Sequence, residues 1–295
     1  MKPFGYVAAQ DSEHAVALLA EYGKGAKLLA GGTDLLADLK LTPHPPPAVM
    51  VDISRCADLK GIAITEAGLR IGAMVTHSEI VNSPLIRDTL PALAEAALSI
   101  GAVQTRNLGS IAGNLVTCVP SMDSGPTLLA LEASVTILGP SGRRTIGLAD
   151  LFVGPRKTSL AFGEILVEIV IPKRNVGKPT GFQKFGLRKG QALALVNAAA
   201  SFWAGEGLFT EPTIALGAVA PTVIRAPKAE AYLAGRPVTE DAMAEAGRIA
   251  ATEAKPITDF RATADYRRDL VAVLVKRALL AAHGRATPNR KDIAS

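Results

Sequence analysis

Two glycine-bearing stretches carry the residues best suited to holding a phosphate. One, QTRNLGSIAGNLVTCVPSMDSGP at 104–126, sets Gly109, Gly113 and Gly125 among Ser110, Asn114, Thr117, Ser121 and Ser124. Glycine frees the backbone to take positive φ and to approach a ligand closely. The hydroxyls and the Asn114 amide supply donors and acceptors. Such a loop can turn several N–H groups toward one anion. The other, KLLAGGTDLL at 27–36, reads as a short apolar strand, a Gly31-Gly32 break, and a helix to about residue 39 capped by Thr33 or Asp34. A strand feeding a helix N-terminus through glycines aims unpaired N–H groups and the helix dipole at one point. Two loops of this kind suit a ligand with two phosphates, or a dinucleotide. Neither is a Rossmann fingerprint, because Leu28 stands where Gly23-Lys24-Gly25 would need its third glycine, and no Gly-Lys-Ser/Thr of a P-loop occurs.

Other chemistries find little support. The histidines, at 14, 44, 77 and 283, have no metal-ligand spacing, and no Gly-x-Ser-x-Gly elbow is present. In Thr76-His77-Ser78 a helix cap is the expected role. Cys56 and Cys118 are the two cysteines, whereas an iron–sulfur cluster usually needs four thiolates. A disulfide between them is not expected in a reducing cytosol. The net charge of +5 comes from scattered Lys and Arg rather than a basic helix face, which argues against nucleic acid. No apolar run reaches 18 residues and Met1-Lys2-Pro3-Phe4 lacks an apolar signal core, so no membrane span is expected and the cytoplasm is the expected location.

The 295 residues allow two domains. Asp11 or Ser12 caps a helix with Ala15, Val16, Leu18, Leu19 and Tyr22 on its apolar stripe, and Gly23 ends it. Strands are expected at 27–30 and 49–53, joined through an extended segment forced by Pro43, Pro45, Pro46 and Pro47. One helix is expected over 84–98, a hairpin pairing 135–138 with 143–146, and a strand over 165–171. The polar segment 175–180 reads as a linker. Beyond it, strands are expected at 181–187, 193–203 and 213–219 and helices at about 240–253 and 263–282, with a frayed tail. In 191–204, Gln191, Asn197 and Ser201 argue for a buried strand or helix rather than a membrane segment.

AGGTDLL at 30–36 together with TRNLGSIAGN at 105–114 resembles the flavin-binding medium subunit of the molybdenum hydroxylases, the xanthine dehydrogenase and carbon monoxide dehydrogenase family. The resemblance extends through IGAMVTHSEI at 71–80, LFVGPRKT at 151–158, EILVEIVIP at 164–172 and KFGLRKG at 184–190. It implies an α+β chain: a two-subdomain FAD-binding domain of the vanillyl-alcohol-oxidase (PCMH) type over 1–176, a smaller α+β C-terminal domain over 177–285, and a flexible tail over 286–295.

The same resemblance implies FAD contacts at Leu28, Leu29, Ala30, Gly31, Gly32, Thr33, Asp34 and Leu35, with the amides of 30–34 around the pyrophosphate. It implies further contacts at Ile100 and at Ser110, Ile111, Ala112, Gly113 and Asn114, near phosphate and ribityl groups. Relatives carry Gly-Gly where this chain has Ala112-Gly113, so position 112 need not reach positive φ. Asp123 falls at an acid that bonds the adenosine part, Leu166 presents backbone to the adenine, and Lys184 lies near the flavin's pyrimidine end. Covalent relatives of this fold have a histidine after the first glycine pair; Thr33 and Asp34 follow here, so noncovalent FAD is expected. The implied partners are a large molybdopterin subunit and a small subunit with two [2Fe–2S] clusters, in a dimer of heterotrimers. The flavin would pass electrons to NAD, a quinone or another acceptor. Relatives place acidic residues shortly after the pair matching Arg188-Lys189, and their absence here leaves the acceptor open. A stand-alone FAD-dependent oxidoreductase of the same fold is the alternative, together with a non-redox nucleotide-binding module.

Overall fold

The computed structural model describes residues 3–41 and 45–286. Strand β1 (Gly5–Ala8) leads to α1 (Ser12–Tyr22), β2 (Ala26–Leu29), α2 (Leu35–Leu41) and β3 (Val49–Asp52). Asp11 caps α1 by accepting from the His14 amide, and Gly23 closes the helix at φ 56°, as its sequence predicts. β1 and β2 flank β3 in a parallel sheet, so the loops that leave β1 and β2 lie at the same, C-terminal edge of that sheet. Residues 45–47 of the expected extended connection carry no regular element, and Pro43 lies outside the described residues.

A second sheet takes strands from distant parts of the chain. Its order is β4 (Ile62–Ile64), β5 (Gly68–Gly72), then the later β10, then β6 (Ser134–Gly139) and β7 (Gly142–Gly147). Between β5 and β6 run α3 (His77–Asn82), α4 (Pro84–Thr89), α5 (Pro91–Leu98), α6 (Val103–Leu108), α7 (Ile111–Thr117) and α8 (Ser124–Ala130). The single helix expected over 84–98 is two, because Pro91 cannot donate into the turn before it and starts α5 instead. After β7 come α9 (Leu148–Leu151), the small hairpin β8 (Phe152–Gly154) and β9 (Lys157–Thr158), and the central strand β10 (Ile165–Pro172).

The C-terminal sheet runs β11 (Thr180–Gly186), β12 (Ala194–Gly205), β13 (Leu208–Gly217) and β14 (Ile224–Arg225), all antiparallel. It is followed by α10 (Pro227–Leu233), α11 (Glu240–Glu253) and α12 (Ala264–Arg285). Strand alternation divides β12 between two cores. Val196, Ala198, Ala200 and Phe202 pack with Val271, Val275 and Leu279 of α12, while Ala199 joins the core of the N-terminal part. Asn197 and Ser201 share the Ala199 face, which explains polar residues in a buried strand. Ser201 donates to the Pro179 carbonyl at 3.0 Å, and Thr213 of β13 donates to the Ala130 carbonyl at 2.6 Å.

The 175–180 segment is not a loose connection. Asn175 is fully buried and donates to the Leu131 carbonyl at 2.9 Å, and the Lys178 ammonium donates to the Glu211 carbonyl at 2.7 Å. Among the described residues, no helix is long and apolar enough to cross a membrane. The tail expected over 286–295 lies outside the described residues beyond Ala286.

Candidate functional site

The two glycine stretches come together. Gly31, between β2 and α2, lies so close to the end of α6 that a Cβ built on it would stand 1.8 Å from the Leu108 carbonyl oxygen. Gly32 follows at φ 72°, a left-handed conformation that favours glycine. The Thr117 hydroxyl donates to the Asp34 carboxylate at 3.3 Å, a second tie between the stretches. With β10 they enclose a cavity of about 450 Å³, within the range typical of cofactor sites.

Leu28, the run from Ala30 to Leu35, Ile100, Ser110, Ala112, Gly113, Asn114 and Leu166 all line this cavity. Leu29 and Ile111 lie behind its wall; Ile111 is fully buried in the core. Asp123 and Lys184 are not brought to the lining.

The two stretches differ in what their backbones offer. Among the described residues, no intramolecular hydrogen bond takes the amides of Ala30, Gly31, Gly32, Thr33 or Asp34. Five consecutive amides without an internal partner, on residues that line the cavity, are donors available to an anion there. In the second stretch the amides are engaged: Ile111 donates to the Val75 carbonyl at 2.9 Å, Ala112 to Ala73 at 3.4 Å and Asn114 to Ser110 at 3.0 Å. Gly113 donates to the Ser110 hydroxyl at 3.1 Å, capping α7. The expectation of two amide loops therefore reduces to one, because the second stretch folds into helix and spends its donors there.

Nor do Gly109, Gly113 or Gly125 take positive φ, contrary to expectation. They are small because space is short: a Cβ would stand 3.0 Å from the Thr105 oxygen, 2.9 Å from the Ser110 hydroxyl and 2.7 Å from the Met122 sulfur, respectively. Ala112 is likewise outside the positive-φ region. For Gly113→Val the harm therefore comes from a branched side chain that displaces the Ser110 cap and enters the cavity. Ligand affinity should fall at least tenfold, with a stability loss of about 1 kcal/mol for the lost cap. Binding titration beside a thermal melt separates the two.

Asp123 and Lys184 pair with each other. The Lys184 ammonium donates to the Asp123 carboxylate and, at 3.0 Å, to the Ser99 carbonyl. Asn197 donates to the other Asp123 oxygen at 2.8 Å and to the Met122 carbonyl at 3.0 Å. Burial pushes the Asp123 carboxyl up, while Lys184 and then Asn197 pull it back down. Asp123 and Lys184 thus satisfy one another, outside the cavity lining. What the pair does reach is the cavity wall: Lys184 holds the carbonyl of Ser99, and Arg106 holds that of Ile100 at 2.9 Å. Gly101 ends this segment at φ 52°.

Sequence reasoning missed several neighbours. Thr76 does cap α3, in a full capping box with Glu79, but His77 is its first residue, is 2% exposed and lines the cavity. Glu164 also lines it, neutralised by Arg144 through two bonds of 2.8 and 2.6 Å. The paired guanidinium, with the Ala161 amide adding to it, holds the Glu164 carboxyl below its usual range. Beyond Ser99 and Gly101 opens a cleft of about 740 Å³ lined by Arg106, Arg188 and Lys189. Among the described residues, no group of His, Cys, Asp and Glu is placed to hold a metal ion.

Comparison with known proteins matches residues 2–174 to the FAD binding domain in molybdopterin dehydrogenase, and residues 182–282 to the CO dehydrogenase flavoprotein C-terminal domain. The carbon monoxide dehydrogenase medium chain of Hydrogenophaga pseudoflava is 36% identical over 282 residues, covering 96% of this chain and 98% of that one. A xanthine dehydrogenase FAD-binding subunit of Escherichia coli O157:H7 is 33% identical over 270 residues, covering 90% of this chain and 91% of that one. The solved carbon monoxide dehydrogenase of Hydrogenophaga pseudoflava lacking the Mo-pyranopterin moiety superposes with a TM-score of 0.91 at 37% identity, covering 97% of this chain and 100% of that one.

Proposed function

This chain belongs to the FAD-binding medium subunits of the molybdenum hydroxylases, the carbon monoxide and xanthine dehydrogenase type, and on that premise we propose that it seats noncovalent FAD in the cavity between its two glycine stretches. There it would relay electrons from [2Fe–2S] clusters of a small partner subunit to an external acceptor, while a large partner subunit carries the molybdopterin and the substrate. The complex is an oxidoreductase, and this chain is its electron-transfer subunit.

The observation that carries the reading is the run of free amides from Ala30 to Asp34, held against Leu108 by a glycine that has no room for a Cβ. These amides fit the dinucleotide's pyrophosphate, and the apolar wall of Leu28, Ile100 and Leu166 fits its ring systems. Bound FAD supplies the reversible one- and two-electron chemistry, and the protein supplies position and electrostatics. Ser110 and Asn114 present polar side chains to the ribityl region. Asn114 is fixed there, its carbonyl accepting from Ser124 at 2.6 Å. Lys184 acts from behind the Ser99–Ile100 wall, which it holds together with Arg106. The basic cleft beside this wall favours an anionic acceptor such as NAD.

No histidine or cysteine lies on the 30–35 segment, and Cys118 is turned away, its thiol donating to the Gly154 carbonyl at 3.3 Å. Acid precipitation of the purified protein should therefore leave yellow flavin in the supernatant; flavin retained in the pellet would contradict noncovalent binding. Purification from the native source should yield one member of a three-chain complex containing iron, sulfide and molybdenum. Turnover of an organic substrate at enzymatic rates by the isolated chain would overturn the subunit reading.

A further inference from the structure

His77 is a buried titratable group with no partner. It is 2% exposed, and its Nδ1 is sealed from solvent without a hydrogen bond. Its backbone is committed elsewhere, the amide donating to the Gly109 carbonyl at 3.0 Å. No described residue bonds to Nε2 either, yet that nitrogen is absent from the sealed, unsatisfied atoms. It therefore keeps access to open space, and the space this residue lines is the cavity. The ring edge carrying Nε2 is located by Gly109: a Cβ built there would stand 3.4 Å from His77 Cδ2 and 3.5 Å from the Thr33 hydroxyl. This edge lies at the junction of the two glycine stretches, beside the free amides.

The protonation state follows from the surroundings. Burial, with Arg106 nearby adding repulsion, lowers the imidazole to about 4, so the ring is neutral at ordinary pH. A neutral imidazole carries one N–H and one bare nitrogen. Orphaned buried N–H groups are rarer than under-satisfied acceptors. With Nδ1 sealed and unbonded, the tautomer that leaves no buried donor orphaned is the one with its proton on Nε2, toward the cavity.

We propose that His77 is a direct ligand contact, its Nε2–H donating to a pyrophosphate oxygen of the bound dinucleotide and extending the Ala30–Asp34 amide nest. This rests on the FAD reading above. It assigns a side-chain donor to a nest otherwise built of backbone, and it explains why a polar ring with no protein partner is kept at this position.

The test uses the full-length chain freed of flavin, titrated with FAD and followed by flavin fluorescence. His77→Leu should weaken binding roughly tenfold or more, as expected for a lost hydrogen bond to a charged group. His77→Gln, whose amide N–H reaches nearly the same point, should recover most of the affinity. Nitrogen-15 imidazole spectra of the wild type, assigned by the loss of one ring in His77→Gln, should show an Nε2–H tautomer whose resonance moves when FAD is added. If the wild type binds no FAD, the cavity reading and this inference both fail. If the wild type binds FAD but His77→Leu binds it equally well, or the His77 resonances stay fixed on saturation, this inference alone is overturned. Should His77→Leu prove unfolded, the wild-type spectra decide.

Discussion

Gly31→Ala is expected to abolish FAD binding at micromolar concentrations while leaving most of the C-terminal half intact. The added Cβ would lie 1.8 Å from the Leu108 oxygen, a backbone atom that no side-chain rotation can move aside. Either the Ala30–Asp34 run or the end of α6 must retreat. Retreat of the first scatters the five free amides; retreat of the second opens the cavity and loosens the Thr117–Asp34 tie. Losing even two charge-assisted bonds at roughly 1.5–3 kcal/mol each lowers affinity at least a hundredfold. Gly284→Ala is the matching control, since nothing lies within 4 Å of its added Cβ and it sits near the end of α12. It should bind FAD normally. Wild-type affinity in Gly31→Ala would mean that the amide run is not where the phosphates rest.

Lys184→Met is expected to be the most destabilising of the changes considered. It strands the Asp123 carboxylate at 6% exposure with only the neutral donors Asn197 and Ser99 beside it and no counter-charge. Removing one partner of a buried pair typically costs about 3–5 kcal/mol. In a chain of this size that corresponds to a drop in Tm of roughly 5–8 °C. The double variant Asp123→Asn/Lys184→Met should regain most of the loss, because the cost lies in the uncompensated charge. The pH dependence has a definite sign. Without Lys184, burial is opposed only by the hydrogen bonds from Asn197 and Ser99 and raises the Asp123 carboxyl further, so the folded state binds this proton more tightly than the unfolded state. The single variant should then gain stability, relative to the wild type, as pH is lowered toward the carboxylate range. A double variant no more stable than the single would show that the ammonium's contact with the Ser99 carbonyl, rather than the charge pair, matters most.

Much of the fold was legible because its signals are local. The hairpin of β6 and β7 announces itself through Gly139-Pro140-Ser141-Gly142, and α11 and α12 match their expected extents to within a few residues. Most expected cavity residues do line one cavity, because the motif on which they were recognised is the backbone that builds it. What was illegible depends on tertiary contact. No local pattern says that Gly31 is pressed on Leu108, or that α7 consumes the amides of the second stretch. The Asp123–Lys184 pair joins residues 61 apart, across two parts of the fold. His77 looked like cap chemistry because the Thr76 and Glu79 signature is local, whereas its place in the cavity wall is not.

Amides that hold phosphate in a flavin cavity should make FAD affinity depend on its diphosphate arm, and one titration measures this directly. Flavin-free full-length chain is titrated with FAD, and in parallel with riboflavin, which keeps the isoalloxazine and ribityl chain but lacks the diphosphate and the adenosine. FAD should bind saturably at 1:1, and riboflavin should bind at least a hundredfold more weakly, as expected when several bonds to charged oxygens are lost together with the adenine's burial. Equal affinity for the two flavins, or no saturable binding of FAD, would contradict this reading of the cavity.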